Sequence, residues 1–412
     1  MQKTVSECPV RTAVRRKAGA KVPVLVLGSG ITALGVIRAF GRAGVPVYPV
    51  SEHLSFVAGS RWARKPKGEF RPLPDWEDLV AYVRRLPFDS AVIMSCSDYW
   101  TQELSRTVPM LPEGFSTCLA STDTIDLFLD KSRFREFLMR EQIPHPRTVV
   151  LNGENDLASL DDKYFEGAFL KPTNSQSFFW LYEVKAFRVA SKSDALQRYR
   201  DIRHNGLSAV LQEYIPGPPT NHYFVDGFVD RHGSACVHFA RQRLRMYPRD
   251  FGNSTYMVSI KPERVARAIS DLDRVLARTN YRGIFSAEFK LDPRDGQFKL
   301  LEINTRPWWY VDFAVSSGAD VCLMAYRDAL DEEVAPVVSY PAGRTCVYPY
   351  WDFNACRELH RSGQLTLTSW ARSWLTSRQP VWAWDDPLPH VVWVSGKILS
   401  KFKRMVSGLR KH

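Results

Sequence analysis

The chain has 412 residues, 45% hydrophobic and 24% charged, which excludes a disordered or fibrous polypeptide and leaves room for two or three domains. A formal net charge of +12 at pH 7 favours acidic partners, whether nucleotides, anionic substrates, nucleic acid or a membrane surface, without choosing among them. The seven cysteines include no CxxC pair, which argues against a zinc site or a disulfide framework and for a reduced, cytoplasmic setting.

Residues 1–21 are basic, lack the apolar centre of a signal peptide and read as a mobile arm, and no uninterrupted apolar run reaches the roughly 18 residues of a spanning helix. The first ordered stretch, "VPVLVLGSGITALGVIRAFGRAGVPVYPVSE", predicts a strand, a glycine turn, a helix ending near Gly44 and a second strand. Gly28, Gly30 and Ala33 match GxGxxA, and Glu52 follows the second strand. That is a dinucleotide fingerprint when taken alone, so an NAD-dependent oxidoreductase is one alternative function. The same turn also serves plain strand-to-helix packing. A strand at 90–95 and a helix from about 98 close the unit near residue 120, which is short for the two halves of a dinucleotide domain.

In "STDTIDLFLDKSRFREFLMREQIPHPRT", Ser121 and Asp123 are candidate caps of a helical run that Pro144 and Pro146 stop. "FEGAFLKPTNSQSFFWLYEVKAFRVAS" reads as a strand ending at Lys171, a polar turn and a second strand carrying Lys185. "AVLQEYIPGPP" is a strand running into a Pro/Gly stop. A meander over about 222–246 ends with Arg241, Arg243 and Arg245 on one face by the period-two rule. An exposed basic face is the simple reading of these three. After a helix at about 262–279, "GIFSAEFKLDPRDGQFKLLEINTRPWW" places two strands around "DPRDG", a hairpin signal.

On the second of those strands Glu302, Asn304 and Arg306 point the same way. A solvated polar face is the simplest reading. The mixture is unusual, however, since a carboxylate and an amide oxygen suit a hard cation and a guanidinium suits a phosphate or carboxylate. Antiparallel pairing brings Glu288 toward Glu302, and two like charges so placed repel by about several tenths of a kcal/mol and invite a cation. Mg²⁺, bound by few carboxylates together with nucleotide phosphate oxygens, is the most economical choice, with Mn²⁺ as an alternative.

In order and spacing these stretches resemble the ATP-grasp superfamily over roughly residues 22–343, and within it the carboxylate–amine ligase branch; the metal motif is also similar to that of biotin carboxylases and carbamoyl-phosphate synthases. The resemblance implies a mixed α/β and α+β architecture. A Rossmann-like pre-ATP-grasp domain would span 22–120, a two-lobed ATP-grasp domain 121–343, and a Trp-rich C-terminal extension 344–412. It implies an enzyme that binds ATP with Mg²⁺, activates a small-molecule carboxylate as an acyl phosphate and joins it to an amine with release of ADP and phosphate. Lys131 in "LDKSRF" would reach the α-phosphate and Lys171 in "FLKP" the α- and β-phosphates. In "LQEYIPG" the Glu213 carbonyl and the Ile215 amide would read the adenine edge, with Gln212 and Tyr214 completing the hinge. Glu288, Glu302 and Asn304 would hold the metal, Arg306 would clamp the transferred phosphoryl group, and Arg241 and Arg243 would serve substrate or acyl phosphate.

Two features depart from the pattern. The loop after Lys171 has no glycine, so Ser175 and Ser177, with Thr173 and Asn174, would supply donors to the phosphates. The acid that often holds the ribose is absent, leaving Asn221 or His222 for that place.

From residue 344 tryptophans crowd the chain (Trp351, Trp370, Trp374, Trp382, Trp384 and Trp393), and the end carries Ile398, Leu399, Phe402, Met405, Val406 and Leu409 on one helical face among Lys and Arg. Such a helix fits peripheral contact with an anionic membrane or packing against the body equally well. The basic residues are dispersed, which counts against nucleic acid as a partner. A homodimer is left open.

Overall fold

The computed structural model describes residues 21–397 apart from 52–54, 67–70, 75–77, 174–177, 179–180 and 250. Strands β1 (Val24–Leu27), β2 (Val47–Pro49), β3 (Ala91–Ser95) and β4 (Phe115–Ser116) form a parallel sheet in the order β2-β1-β3-β4. The helix Gly30–Arg42 is buried along nearly its whole length, as a crossover helix in a parallel sheet must be. Its glycines have packing reasons. Gly28 has φ +112° and donates its N–H to Ser51 Oγ at 2.6 Å. A Cβ on Gly28 would lie 3.1 Å from Cys96 Cβ, and one on Gly35 only 2.7 Å from Val311 Cγ1. Through that close approach the helix shares one core with the helices Val311–Ser316 and Val321–Ala329, where Val36, Ile37, Val311 and Ala325 meet. The dinucleotide fingerprint therefore has a structural explanation, and Glu52 lies outside the described residues.

The single helical run expected after residue 121 is two helices, Thr122–Leu129 and Lys131–Arg140. They meet at Asp130, whose φ −82° and ψ 106° leave the helical region and whose carboxylate accepts from the Ser132 and Arg133 amides at 2.8 and 3.1 Å. A short acidic side chain satisfies the amides of a new helix better than it continues an old one. The break sets Lys131 in the first turn of the second helix.

A smaller antiparallel sheet contains β5 (Thr148–Val150), β6 (Ala168–Pro172), β7 (Phe187–Arg188) and β8 (Ala209–Glu213) in the order β5-β8-β6-β7. It packs against the helix Lys192–His204 through Leu170, Phe178, Tyr199 and Leu211. The expected strand around Lys185 shrinks to β7, and Lys185 itself stands in the bend before it, because Glu183 turns the chain at φ +56°.

The largest sheet has six strands in the order β13-β12-β9-β10-β11-β14: β9 (His222–Val229), β10 (Ala235–Tyr247), β11 (Asn253–Ser259), β12 (Gly283–Leu291), β13 (Phe298–Asn304) and β14 (Thr345–Val347). The turn between β12 and β13 closes with a Gly296 N–H to Asp292 O bond of 2.8 Å, at φ +69° for Gly296. Glu288 is directly opposite Glu302, and the register shifts between Glu288 and Phe289.

Because β14 pairs with β11, the Trp-rich segment begins as part of this sheet and not as an appendage. Its helices Pro349–Arg361 and Leu367–Thr376 follow. Asp352 accepts from Arg245 Nε and Nη2, at 2.9 and 2.7 Å, and from the Trp370 indole at 2.9 Å. Trp351 lies tilted against Trp309 with ring centres 5.2 Å apart, and Trp384 is 87% exposed. The proposed basic tail helix beyond residue 397 lies outside the described residues, as do the arm 1–20 and the loop serines Ser175 and Ser177. No helix among the described residues is long and apolar enough to cross a membrane.

Candidate active site

A cleft of about 600 Å³ opens between the small sheet, the second hairpin strand β13 and the helices Asp98–Thr107 and Lys131–Arg140. Lys131 and Lys171 reach it from different elements, one at a helix start and the other near the end of β6. Lys131 Nζ donates to the Thr173 carbonyl at 3.2 Å, and the Thr173 hydroxyl donates to Ser208 O at 3.2 Å. Burial and the neighbouring Lys171 lower the Lys131 pKa to about 8, against the pull of Glu302, Asp98 and Asp130. Placing two ammonium groups together in a partly desolvated cleft costs free energy that an anion repays.

A consequence for nucleotide binding follows. A lysine with a lowered pKa is charged below that value and loses its charge as pH rises through it, whereas phosphate oxygens beside it would pull the pKa back up. Binding should then take up a proton, and ATP affinity measured by calorimetry should fall as pH rises from about 7 to about 9. Identical heats in buffers of different ionisation enthalpy at about pH 8 would show that Lys131 does not meet the phosphates.

The segment 212–215, the expected adenine hinge, is held by side chains tied back to their neighbours. Gln212 Nε2 donates to Thr148 Oγ1 at 2.9 Å. The Glu213 carboxylate accepts from the Arg147 amide at 2.7 Å and from Arg294 at 3.1 Å. Tyr214 N–H bonds Gly167 O at 3.0 Å, Lys290 Nζ lies 4.2 Å from the Tyr214 ring centre, and Ile215 is buried. Asn221 Nδ2 donates to Leu291 O at 3.1 Å, bracing the end of β12.

Beyond the lysines stands the carboxylate pair. Glu288 Oε1 accepts from Arg243 Nη2 at 3.0 Å and lies 2.9 Å from His222 Nδ1. Burial would raise its pKa, but Arg243, His222 and Lys185 together hold Glu288 well below the usual carboxylate range. Burial and then Arg243 push His222 down to about 4, so at neutral pH its neutral ring donates to the carboxylate. His222, one of the two candidates for the ribose, is thus a partner of Glu288 in the carboxylate pair. Enclosure lowers the pKa of the rim residue Lys185, with Glu302 and Glu288 opposing, and its Nζ donates to Asn253 Oδ1 at 2.5 Å.

Arg241, Arg243 and Arg245 do share one face of β10, but all three are buried, which rules out the exposed basic face. Their surroundings differ. Arg241 is gripped by both oxygens of Asp226 at 2.6 and 3.2 Å and lies 3.8 Å over the Phe224 ring, and Arg245 belongs to Asp352. Of the three, Arg243 is the one whose guanidinium bonds a member of the carboxylate pair. Arg306 forms a two-pronged pair with Asp98 at 2.7 and 3.0 Å.

Asp98 is the cleft residue that sequence reasoning missed. Its signal was position, because it follows the carboxyl end of the parallel strand β3, where open α/β sheets collect functional groups.

The donor chemistry fits Mg²⁺. Glu288 and Glu302 come from paired strands with Asn304 two residues further on, which gives only oxygen ligands and few of them. Among the described residues no group of three His, Cys, Asp or Glu side chains converges as a complete protein cage would require. Two carboxylates and an amide leave places for phosphate and water oxygens, the arrangement Mg²⁺ prefers.

No family model matches the chain. It is 22% identical over 325 residues to D-aspartate ligase of Enterococcus faecium, covering 74% of this chain and 76% of that protein. Carboxyaminoimidazole ribonucleotide synthase from Aspergillus clavatus, solved with ATP, superposes with a TM-score of 0.60 at 15% identity over 79% of this chain and 80% of its own. The biotin carboxylase domain of Hydrogenobacter thermophilus 2-oxoglutarate carboxylase, solved with MgADP and bicarbonate, gives a TM-score of 0.60 at 18% identity over 76% and 70%. With its parallel N-terminal sheet, its small antiparallel lobe and its large sheet ending in the Glu288–Glu302 hairpin, the chain has the ATP-grasp fold.

Proposed function

We propose that the protein is an ATP-dependent carboxylate–amine ligase. A carboxylate oxygen attacks the γ-phosphorus, the bond to the β-phosphate oxygen breaks and ADP leaves. The amine then attacks the acyl carbon, phosphate departs, and the amine gives up a proton as the amide forms. The observation that carries this reading is the meeting of Lys131 and Lys171 with Glu302 and Asn304 in one cleft of about 600 Å³. Two cations there face the oxygen donors of the hairpin, as a polyphosphate and its counter-ion require.

In this reading Lys131 and Lys171 hold the phosphates, and the main chain of Glu213–Ile215, set by Gln212 and Tyr214, receives the base. Thr173 stands beside the phosphates, the sequence offers Ser175 and Ser177, outside the described residues, as further donors to them, and Asn221 stands on the ribose side. Glu288, Glu302 and Asn304 would hold Mg²⁺, which when bound neutralises charge on the transferring phosphoryl group. Arg306 meets that group's oxygens. Arg243 orients Glu288 and presents positive charge to the acyl phosphate, and Arg241, fixed by Asp226, backs it.

The test is a screen of amino acids and small acids, singly and in pairs, for ADP release that needs both an acid and an amine. Calorimetry with Mg·ATP and with NADH should show binding of the former only. Tight NADH binding without ATP binding would return the function to the Gly28–Gly30 turn.

A further inference from the structure

Each nitrogen of the Arg306 guanidinium has a partner. Nε donates to Asp98 Oδ1 at 2.7 Å, Nη2 to Asp98 Oδ2 at 3.0 Å and to Asn304 Oδ1 at 3.4 Å, and Nη1 to the Pro307 carbonyl at 3.1 Å. The Nε–Nη2 edge matches one planar anion at a time, so a guanidinium gripped this way cannot offer the same edge to a phosphoryl group. Arg306 is the enclosed member of the pair and Asp98 the wetter one, with side chains 17% and 46% exposed. Asp98 also lines the cleft that holds Lys131 and Lys171.

The two partners respond differently to separation. Asp98 opens the helix Asp98–Thr107, where helix-end amides and solvent both favour a lone carboxylate. Arg306, enclosed and paired on its Nε–Nη2 edge, needs an anion beside it. A phosphoryl group arriving next to Glu302 and Asn304 is such an anion.

We infer that Asp98 is a positioning residue, the alternate partner of Arg306, which holds the guanidinium away from the phosphoryl position and releases it when nucleotide competes for the same edge. The inference rests on the ligase reading for the role of Arg306. It also assigns a task to the N-terminal domain: an aspartate 208 residues away in sequence restrains the arginine of the hairpin strand.

The test is a double-mutant cycle read by Mg·ATP calorimetry and by ADP formation without acid or amine. Asp98→Asn keeps the shape and removes the competing charge, so Mg·ATP should bind about three- to tenfold more tightly and acceptor-free ADP formation should rise by a similar factor. In an Arg306→Gln background the same substitution should change affinity less than about twofold, because what then remains is the loss of one negative charge near the phosphates, offset by the weaker support of the charge on Lys131. Asp98→Glu, which keeps the charge, should return affinity toward that of the unaltered protein. Unchanged or weaker ATP binding in Asp98→Asn, or an equal gain in the Arg306→Gln background, overturns the inference. Should Asp98→Asn fail to fold, the Asp98→Ser and Asp98→Glu pair gives the same comparison. If the unaltered protein binds no Mg·ATP, the ligase reading fails as well; if it binds and the cycle shows no coupling, only the role of Asp98 is lost.

Discussion

Glu302→Gln should lower single-turnover ADP formation roughly a hundredfold to a thousandfold while leaving the fold intact. The substitution keeps the shape of the side chain and removes one of two carboxylates that face each other across the hairpin. Its largest effect should fall where negative charge is redistributed, in phosphoryl transfer, and a loss of about 3 to 4 kcal/mol there corresponds to that range of rates. ATP binding should suffer less, since Lys131, Lys171 and the hinge are untouched. A second effect has a definite direction. Glu302 is the anion that most strongly supports the charge on Lys131, so neutralising it should push the lysine further below about 8 and move the alkaline limit of nucleotide binding to lower pH. Relief of repulsion with Glu288 should make the metal-free protein no less stable in a thermal melt. The decisive measurement is ADP formation in a single turnover at saturating Mg²⁺, beside melts with and without Mg·ATP. Near-normal turnover would reduce Glu302, Asn304 and Arg306 to the wet side of a strand.

That hairpin was also the most legible part of the chain, for a physical reason. Strand alternation and a turn such as "DPRDG" are local properties, and a hairpin fixes register locally, so the pairing of Glu288 with Glu302 could be anticipated from some fifteen residues of sequence. The same holds for the face shared by Arg241, Arg243 and Arg245, which follows from period two. Their partners could not be foreseen. Asp226, Glu288 and Asp352 come from three other elements, up to 107 residues away, and pairing at that range is settled by how the sheet and the extension pack. Asp98 escaped for the same reason, since nothing near it in sequence hints at Arg306. The break at Asp130 is invisible to periodicity because the apolar spacing runs through it, and a capping side chain overrides that spacing. Apolar and aromatic residues around Lys185 favour a strand there, yet the backbone turns at Glu183 first. The tryptophans announced an unusual segment but not that its first residues complete the large sheet as β14.

The extension supplies the other large expected effect. Arg38 lies in the middle of the helix Gly30–Arg42 and is fully buried at 0% exposure, an unusual place for a guanidinium in an apolar helix. It is accounted for by four hydrogen bonds to the far end of the chain: to Asp386 Oδ2 at 3.0 Å, Pro380 O at 3.1 Å, Val381 O at 2.8 Å and Asp386 O at 2.9 Å. Burial lowers its pKa and Asp386 counters that, which is the balance expected of a desolvated pair. Arg38→Ala would leave the Asp386 carboxylate, 1% exposed, with only the Ser60 hydroxyl and the Arg61 amide, together with an unfilled volume. Removing one partner of a buried pair typically costs about 3 to 5 kcal/mol, so this substitution should destabilise the protein by that order. Arg38→Met, which keeps the volume but not the charge, should still lose most of it, because the cost lies in the uncompensated anion. The double variant Arg38→Met with Asp386→Asn should recover part of the loss, since the anion is then gone too. Arg42, paired to Asp385, and Arg378, paired to Asp312, should keep the extension partly attached, so the first sign in limited proteolysis should be cleavage near residues 380–390 ahead of global unfolding. Turnover at low temperature should be nearly unaffected, because none of these contacts touches Lys131, Lys171 or the hairpin. A melt unchanged by Arg38→Ala would show that the extension is held by its aromatic contacts and β14, with the buried pair contributing little.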